Sequence, residues 1–159
     1  MSKYEMRILD YGAIIHDVGK IGIPESILLK PERLTAEEFE VVKMHTSIGA
    51  RILAGGRSEY LAMAEEIALG HHERWDGSGY PQGLRRDETP VYARIVAVAD
   101  YFDALTHARP YRAALPLGEV LEQIDAAAGR LFDPRVVRAF LDAHLAGPVP
   151  AVAAASSIS

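Results

Sequence analysis

The chain predicts an all-α bundle, on three observations. Apolar residues recur at helical spacing in segment after segment, capping signals open several of those segments, and glycine and proline concentrate between them. The first helix reads over 4–17. The next stretch, HDVGKIGIPESILLKPERL, holds the breakers Gly19, Gly22, Pro24 and Pro31 and reads as loop. Thr35 with Glu38 three residues on is a capping box that opens a helix over 36–54. Phe39, Val42, Thr46, Ala50 and Leu53 share one face of it, and His45 lies in an adjoining stripe with Val41, Ile48 and Ile52. Gly55 and Gly56 end it. The next helix reads over 59–72, with Leu61, Ala64, Ala68 and His71 on one stripe. WDGSGYPQGLRRDE is a long loop. Thr89 and Pro90 then read as N-cap and first helical position of a helix over 91–106. That helix is apolar on nearly every side, which marks it as the central buried element. Helices over 117–128 and from Pro134, capped by Asp133, complete the set. The tail from Gly147, GPVPAVAAASSIS, has no period. A domain over 1–146 and a disordered tail over 147–159 are expected.

Composition narrows the function classes. At 159 residues, 49% hydrophobic and 25% charged, the chain suits one globular domain and excludes whole-chain disorder. A net charge of −5 argues against a nucleic-acid polymer as partner. The absence of cysteine excludes a disulfide framework, a thiolate zinc site, an iron–sulfur cluster and a catalytic thiol, and fits a reducing compartment. No stretch reaches the roughly 18 apolar residues of a membrane helix. Glu5, Arg7 and Asp10 interrupt the start where a signal peptide needs an apolar run, so a cytoplasmic location is expected.

The residues that carry chemistry are histidines and aspartates. His16 and Asp17 adjoin at the end of the first helix, His45 lies inside the second, and His71 and His72 end the third. Asp100 sits midway along the most apolar helix. There a lone ionised carboxylate costs several kcal/mol unless it is metal-bound or paired with a cation or helix N-terminus, and both readings stand. Each histidine pair alone is weak evidence, since a satisfied core histidine is the commoner outcome. Taken together, imidazole and carboxylate donors suit first-row divalent ions. A carboxylate bridging two ions about 3.5–4 Å apart is typical of phosphoester hydrolysis. His107 and His144 read as non-ligands. Lys20, Arg109 and Arg112 would neutralise phosphate oxygens at such a site, or simply decorate solvated loops. Trp75 and Tyr80 would stack on a base, or pack within their own glycine-rich loop. Lys30, Arg85 and Arg86 read as surface.

The segments HDVGKIGIPESILLKP, KMHTSIGA, HHERWDGSGYPQGL and ARIVAVADYFDALTHARPYRAA resemble, in content and order, the HD-GYP family of bacterial metal-dependent phosphodiesterases of cyclic di-GMP. The resemblance covers about residues 8–143. It implies an HD-domain helical bundle with a long GYP loop, and two divalent ions, iron or manganese foremost. It implies His16, Asp17 and Asp100 as ligands of the first ion, with Asp17 bridging, and His45, His71 and His72 as ligands of the second. Asp17 and Lys20 take the catalytic positions. Lys20, Arg109, Arg112 and Tyr80 take substrate-binding ones, with Arg112 standing where lysine is frequent. Gly79, Tyr80 and Pro81 are the GYP triplet, whose loop is associated in the family with GGDEF-domain partners.

The family pattern also carries a metal-binding histidine on a helix upstream of the HD pair. The 15 residues before His16 contain no histidine. The expectation is a first metal one ligand short, no third metal, slow turnover, and an apolar surface around Ile8, Leu9 and Ile14 that favours a homo-oligomer or a separate partner. Hydrolysis of cyclic di-GMP is the expected activity, with pGpG or GMP as the end product. The alternatives are an HD phosphohydrolase of another nucleotide, and an impaired module that binds ligand or protein.

Overall fold

The computed structural model describes residues 2–108 and 113–145. Its helices are α1 (Lys3–Ile15), α2 (Glu25–Leu28), α3 (Ala36–Leu53), α4 (Glu59–Gly70), α5 (Val91–Thr106), α6 (Leu117–Ala126) and α7 (Pro134–Leu145), with short 3-10 turns at Val18–Gly22 and Arg86–Glu88. No strand occurs among the described residues, only isolated bridges of Asp76 with Arg85 and Ala128 with Phe132. The all-α expectation holds. Arg109, Arg112, the Ile8 side chain and the expected tail over 147–159 lie outside what is described.

The capping logic is met at α3, where the Thr35 hydroxyl accepts from the Glu38 amide and the Glu38 carboxylate accepts from the Thr35 amide. Asp133 caps α7 as expected, accepting from the Arg135 amide at 2.9 Å. The reading of α5 needs correction. Thr89 is buried with its hydroxyl unpartnered, and Pro90, at φ −53°, occupies the cap position before Val91. The segment after His16 is also more ordered than a loop. The Val18–Gly22 turn succeeds α1 almost at once, and Pro24 leads into the single turn of α2. Proline is tolerated there because it precedes the positions where a backbone donor is needed.

The centrality of α5 is a second correction. α4 packs on α1, α3 and α5, and buries Met63, Ala64, Ile67, Ala68 and Gly70. α5 is apolar all round for a different reason: it packs on α4 by one face and on α6 and α7 by another. Its start remains open, with Val91 42% exposed. The core divides accordingly. Val98, Leu105, Val120, Ile124, Phe132 and Val137 join α5 to α6 and α7. Met63, Ile67 and Val96 join α4 to α5 and α1, and Leu53, Ala64 and Ala68 join α3 to α4.

One contact fixes where Asp17 stands. A Cβ on Gly19 would overlap the His45 carbonyl oxygen and the backbone nitrogen of Gly49. Only glycine lets the turn after α1 press directly onto α3. That close approach carries Asp17 to the side chain of His45.

Candidate metal centre

The ends of α1 and α4, the middle of α3 and one position of α5 converge. His16 caps the C-terminus of α1, Asp17 opens the 3-10 turn, His71 caps the C-terminus of α4 and His72 comes directly after it. His45 is buried in α3, and Asp100 reaches in from α5. The Nε2 atoms of His45 and His71 stand 3.3 and 3.8 Å from Asp17 Oδ1. His16 Nε2 stands 3.4 Å from Asp17 Oδ2 and 3.9 Å from Asp100 Oδ1.

Each of three rings is oriented by its own helix. His45 Nδ1 donates to the Val42 carbonyl at 2.6 Å, and His71 Nδ1 to those of Ile67 and Ala68 at 3.0 and 3.1 Å. His16 Nδ1 donates to the Ala13 carbonyl. With the proton on Nδ1, the Nε2 atoms of neutral rings carry lone pairs. The lone pairs of His45 and His71 face each other at 3.3 Å and face Asp17 Oδ1, which is buried without a hydrogen-bond partner. Three acceptors around one point with no donor among them fit a cation, and fit little else. Two sets of donor atoms each lie within 4.8 Å of one another: His45, His71 and His72, and His16, Asp17 and His71. His71 belongs to both.

The electrostatics support neutral ligands beside an ionised bridge. Burial pushes the His71 and His72 imidazoles down, to about 3 and about 4, with neighbouring histidines adding to it. Burial likewise lowers His45. Burial opposes the charge on His16 too, but hydrogen bonds to Asp17 and the Ala13 carbonyl outweigh it and raise this imidazole. Burial alone would raise the Asp17 carboxyl, yet hydrogen bonds from His16 and Lys20 hold it well below the usual carboxylate range.

The other foreseen residues fall in varied places. Lys20 Nζ donates to Asp17 Oδ2, because residues three apart in a 3-10 turn eclipse one another. The Asp100 side chain is 31% exposed. The expected burial of this carboxylate is not met, because its stretch of α5 opens onto the site. One face of Tyr80 is already taken. Its ring stacks on His72 at 4.8 Å, with Lys43 Nζ 5.5 Å from its centroid. Trp75 turns away, under the guanidinium groups of Arg94 and Arg135. His107 and His144 lie outside the cluster, His107 against Asp103 and His144 against Phe140.

Glu73 carries no mark in the sequence beyond its place after His71 and His72. Its buried carboxylate accepts from the amides of Gln82 and Gly83 at 2.7 and 3.1 Å and of Leu84 at 3.0 Å, which ties the end of the GYP loop to the histidine segment. Gly79 makes the same closure sterically possible, since a Cβ there would overlap the backbone of His72, Glu73 and Arg74. The tied loop holds Tyr80 against His72.

Comparison with known proteins agrees with this architecture. The HD-domain family profile matches residues 1–136. A cyclic di-GMP phosphodiesterase of Thermotoga maritima is 53% identical over 141 residues, 89% of this chain and 38% of that one. The cyclic di-GMP phosphodiesterase response regulator RpfG of Xanthomonas campestris is 51% identical over 141 residues, 89% of this chain and 37% of that one. A 3'3'-cGAMP-specific phosphodiesterase of Vibrio cholerae is 39% identical over 142 residues, 89% of this chain and 27% of that one. This chain thus spans well under half the length of these curated relatives. A solved cyclic GMP-AMP-specific phosphodiesterase of Vibrio cholerae shares the fold at a TM-score of 0.65 and 17% identity, over 93% of this chain and 40% of that one. The HD-GYP resemblance read from the motifs is borne out by these identities. The helical fold, the converging histidines and aspartates and the profile over 1–136 lead to one conclusion: the chain belongs to the HD-domain family.

Proposed function

We propose that this chain is a metal-dependent phosphodiesterase module that opens cyclic di-GMP to pGpG, in the bacterial cytoplasm. The observation that carries the reading is the set of three acceptors, His45 Nε2, His71 Nε2 and Asp17 Oδ1, facing one another with no donor between them. The cyclic di-GMP phosphodiesterases among the relatives point to the substrate.

His45, His71 and His72 would hold one divalent ion, and His16, Asp17 and Asp100 another. When bound, such ions, iron or manganese foremost, polarise a phosphoryl oxygen and make an attacking water more acidic. The residues of the chain do the rest. The carbonyls behind His16, His45 and His71 fix which ring nitrogen faces the site. Tyr80 shields one face of His72 from water. Lys20 stands at the open side, its ammonium on Asp17, where it neutralises charge gathering on the phosphoryl oxygens. Arg109 and Arg112 are assigned to the substrate's phosphates or bases. Pro81 and Gln82 are exposed at the GYP loop, which supports that loop as the surface for a GGDEF-domain partner. Of the apolar surface expected on α1, Leu9 packs against the Met63 and Ile67 cluster instead, while Ile14, with Tyr4 and Tyr11, is exposed and supports self-association.

No helix among the described residues is long and apolar enough to cross a membrane. Metal analysis of the purified chain, paired with chromatography of products from cyclic di-GMP, tests the reading. Bound divalent metal together with pGpG is the expected result. Absence of turnover in metal-loaded protein overturns it.

A further inference from the structure

A cavity of about 190 Å³ opens beside the metal centre and shares three of its residues, His71, His72 and Asp100. Tyr101, Leu131 and Phe132 give it apolar and aromatic faces, and Arg74 stands at its rim. Two alanines of α5, Ala97 and Ala104, give it depth. The wall bearing Arg74 is fixed in place, since the Trp75 and Asp76 amides donate to the Leu131 and Arg130 carbonyls, each at 3.0 Å.

Arg74 is unlike Arg94, Arg135 and Arg138, each of which pairs with an aspartate. Among the described residues it makes no ion pair, and its only side-chain hydrogen bond is a long one of 3.5 Å to Ser78 Oγ. It is exposed, so its fork of donors is available to a ligand. A small cavity with aromatic and aliphatic sides and a donor-only fork at its rim suits a purine base. Guanine offers O6 and N7 as paired acceptors to such a fork. Adenine sets an amino donor against it, and a guanidinium has no acceptor to answer with.

Building on the cyclic di-GMP reading, we propose that this cavity is a base subsite and that Arg74 reads the O6 and N7 edge of guanine in it. With the phosphodiester at the metal ligands, the attached nucleoside enters the cavity whose wall those ligands form. Arg74 is then a specificity-determining residue that selects guanine over adenine.

The test measures binding of hydrolysis-resistant phosphorothioate analogues of cyclic di-GMP and cyclic di-AMP by calorimetry, on the parent chain, Arg74→Ala and Arg74→Lys. The parent binds the guanine ligand more tightly. Both variants lose roughly tenfold to a hundredfold of affinity for the guanine ligand, as expected of one lost bidentate pair. Their affinity for the adenine ligand stays as in the parent, so the preference collapses. Lysine fails to rescue because it keeps the charge and lacks the fork. If the parent binds the guanine ligand and Arg74→Ala binds it equally well, the subsite is wrong while the cyclic di-GMP reading stands. An equal loss toward both ligands shows a phosphate contact instead and overturns the guanine assignment. If the parent binds neither ligand, the cyclic di-GMP reading falls and the subsite falls with it.

Discussion

Two clusters of ionisable side chains flank the loop from His71 to Pro90, and they are built on opposite terms. Around Asp133 every acceptor has a donor. Arg94 Nη1 reaches Asp133 Oδ2 at 2.5 Å and Asp87 Oδ1 at 2.9 Å. Arg135 reaches both Asp133 oxygens and Asp87, and the guanidinium groups of Arg94 and Arg135 lie over the Trp75 ring at 5.8 and 5.5 Å. Around Asp17 the acceptors face one another, and Oδ1 has no donor at all. The first cluster is satisfied at its carboxylate, and what it leaves over is a donor, Arg94 Nε, buried without an acceptor. The second is complete only with a cation added. Buried charge is therefore no marker of a site in itself; what marks one is a set of buried acceptors gathered round a point with no donor among them.

The largest expected effect comes from removing the central carboxylate of the unfinished cluster. Asp17→Asn should lose bound divalent metal and drop turnover by at least about a hundredfold, since even outer-shell partners of a metal site are worth about 10–100-fold. Its metal-free melting temperature should fall only modestly, because Oδ1 has no donor to lose and the Lys20 pair at Oδ2 is partly exposed and screened. A stable variant that keeps its metal would erase the contrast between the clusters.

Asp133→Asn should do the reverse. Its side chain is 1% exposed between two arginines, and leaving them with a neutral partner should cost about 3 kcal/mol of stability. Metal content should stay unchanged. The variant also changes the acid limb of stability. Burial alone would raise the Asp133 carboxyl, but Arg135 and Arg94 outweigh it and lower it. Its stabilisation is therefore present above the unfolded carboxyl value of about 3.9 and is lost as pH falls through the lower folded value. Denaturant titrations at descending pH should show a shallower acid decline in Asp133→Asn than in the parent.

Glu73→Gln lies between the two regions and tests whether the loop between them matters to the site. Losing charged hydrogen bonds to the loop amides should cost about 1.5–3 kcal/mol and turnover of about tenfold through a looser His72. Loss of stability without any loss of turnover or metal would confine Glu73 to the loop.

The smallest effect is a difference within the metal cluster. His16 is raised and His71 and His72 are depressed to about 3 and about 4, so a proton competes for His16 at a higher pH than for the others. On acid dialysis the ion that depends on His16 should leave before the one held by His45, His71 and His72. Metal analysis after each step should give two releases in the parent and only the later one in His16→Ala. Simultaneous release would contradict it.

Most helices were legible because their stripes and caps are local. What escaped reading depends on packing at a distance. The turn at Val18–Gly22 looks like loop because Gly19 reads as a breaker, whereas it serves close contact with α3. α5 looks central because three neighbours, α4, α6 and α7, use two of its faces. The histidine and aspartate pairs stood out by adjacency and composition, but nothing local says that α1, α3, α4 and α5 bring them within one cluster. Tyr80 and Trp75 advertise a platform for a base, and only the closed loop reveals that His72 and two arginines already lie against them. Glu73 was silent because its partners are amides nine to eleven residues on.

The backbone anchors of the three histidine rings have a consequence for assembly. His16 is tied to Ala13, His45 to Val42 and His71 to Ile67 and Ala68, all within three or four residues on the same helix. Each ring is therefore aimed as soon as its own helix forms, before any two helices meet. Rotamer freedom is already gone when an ion arrives. What remains adjustable is the spacing between helices, so the strength with which this cluster grips an ion becomes a gauge of how closely α1, α3 and α4 are docked. A substitution far from every ligand that shifts one helix by a few tenths of an ångström would register there first.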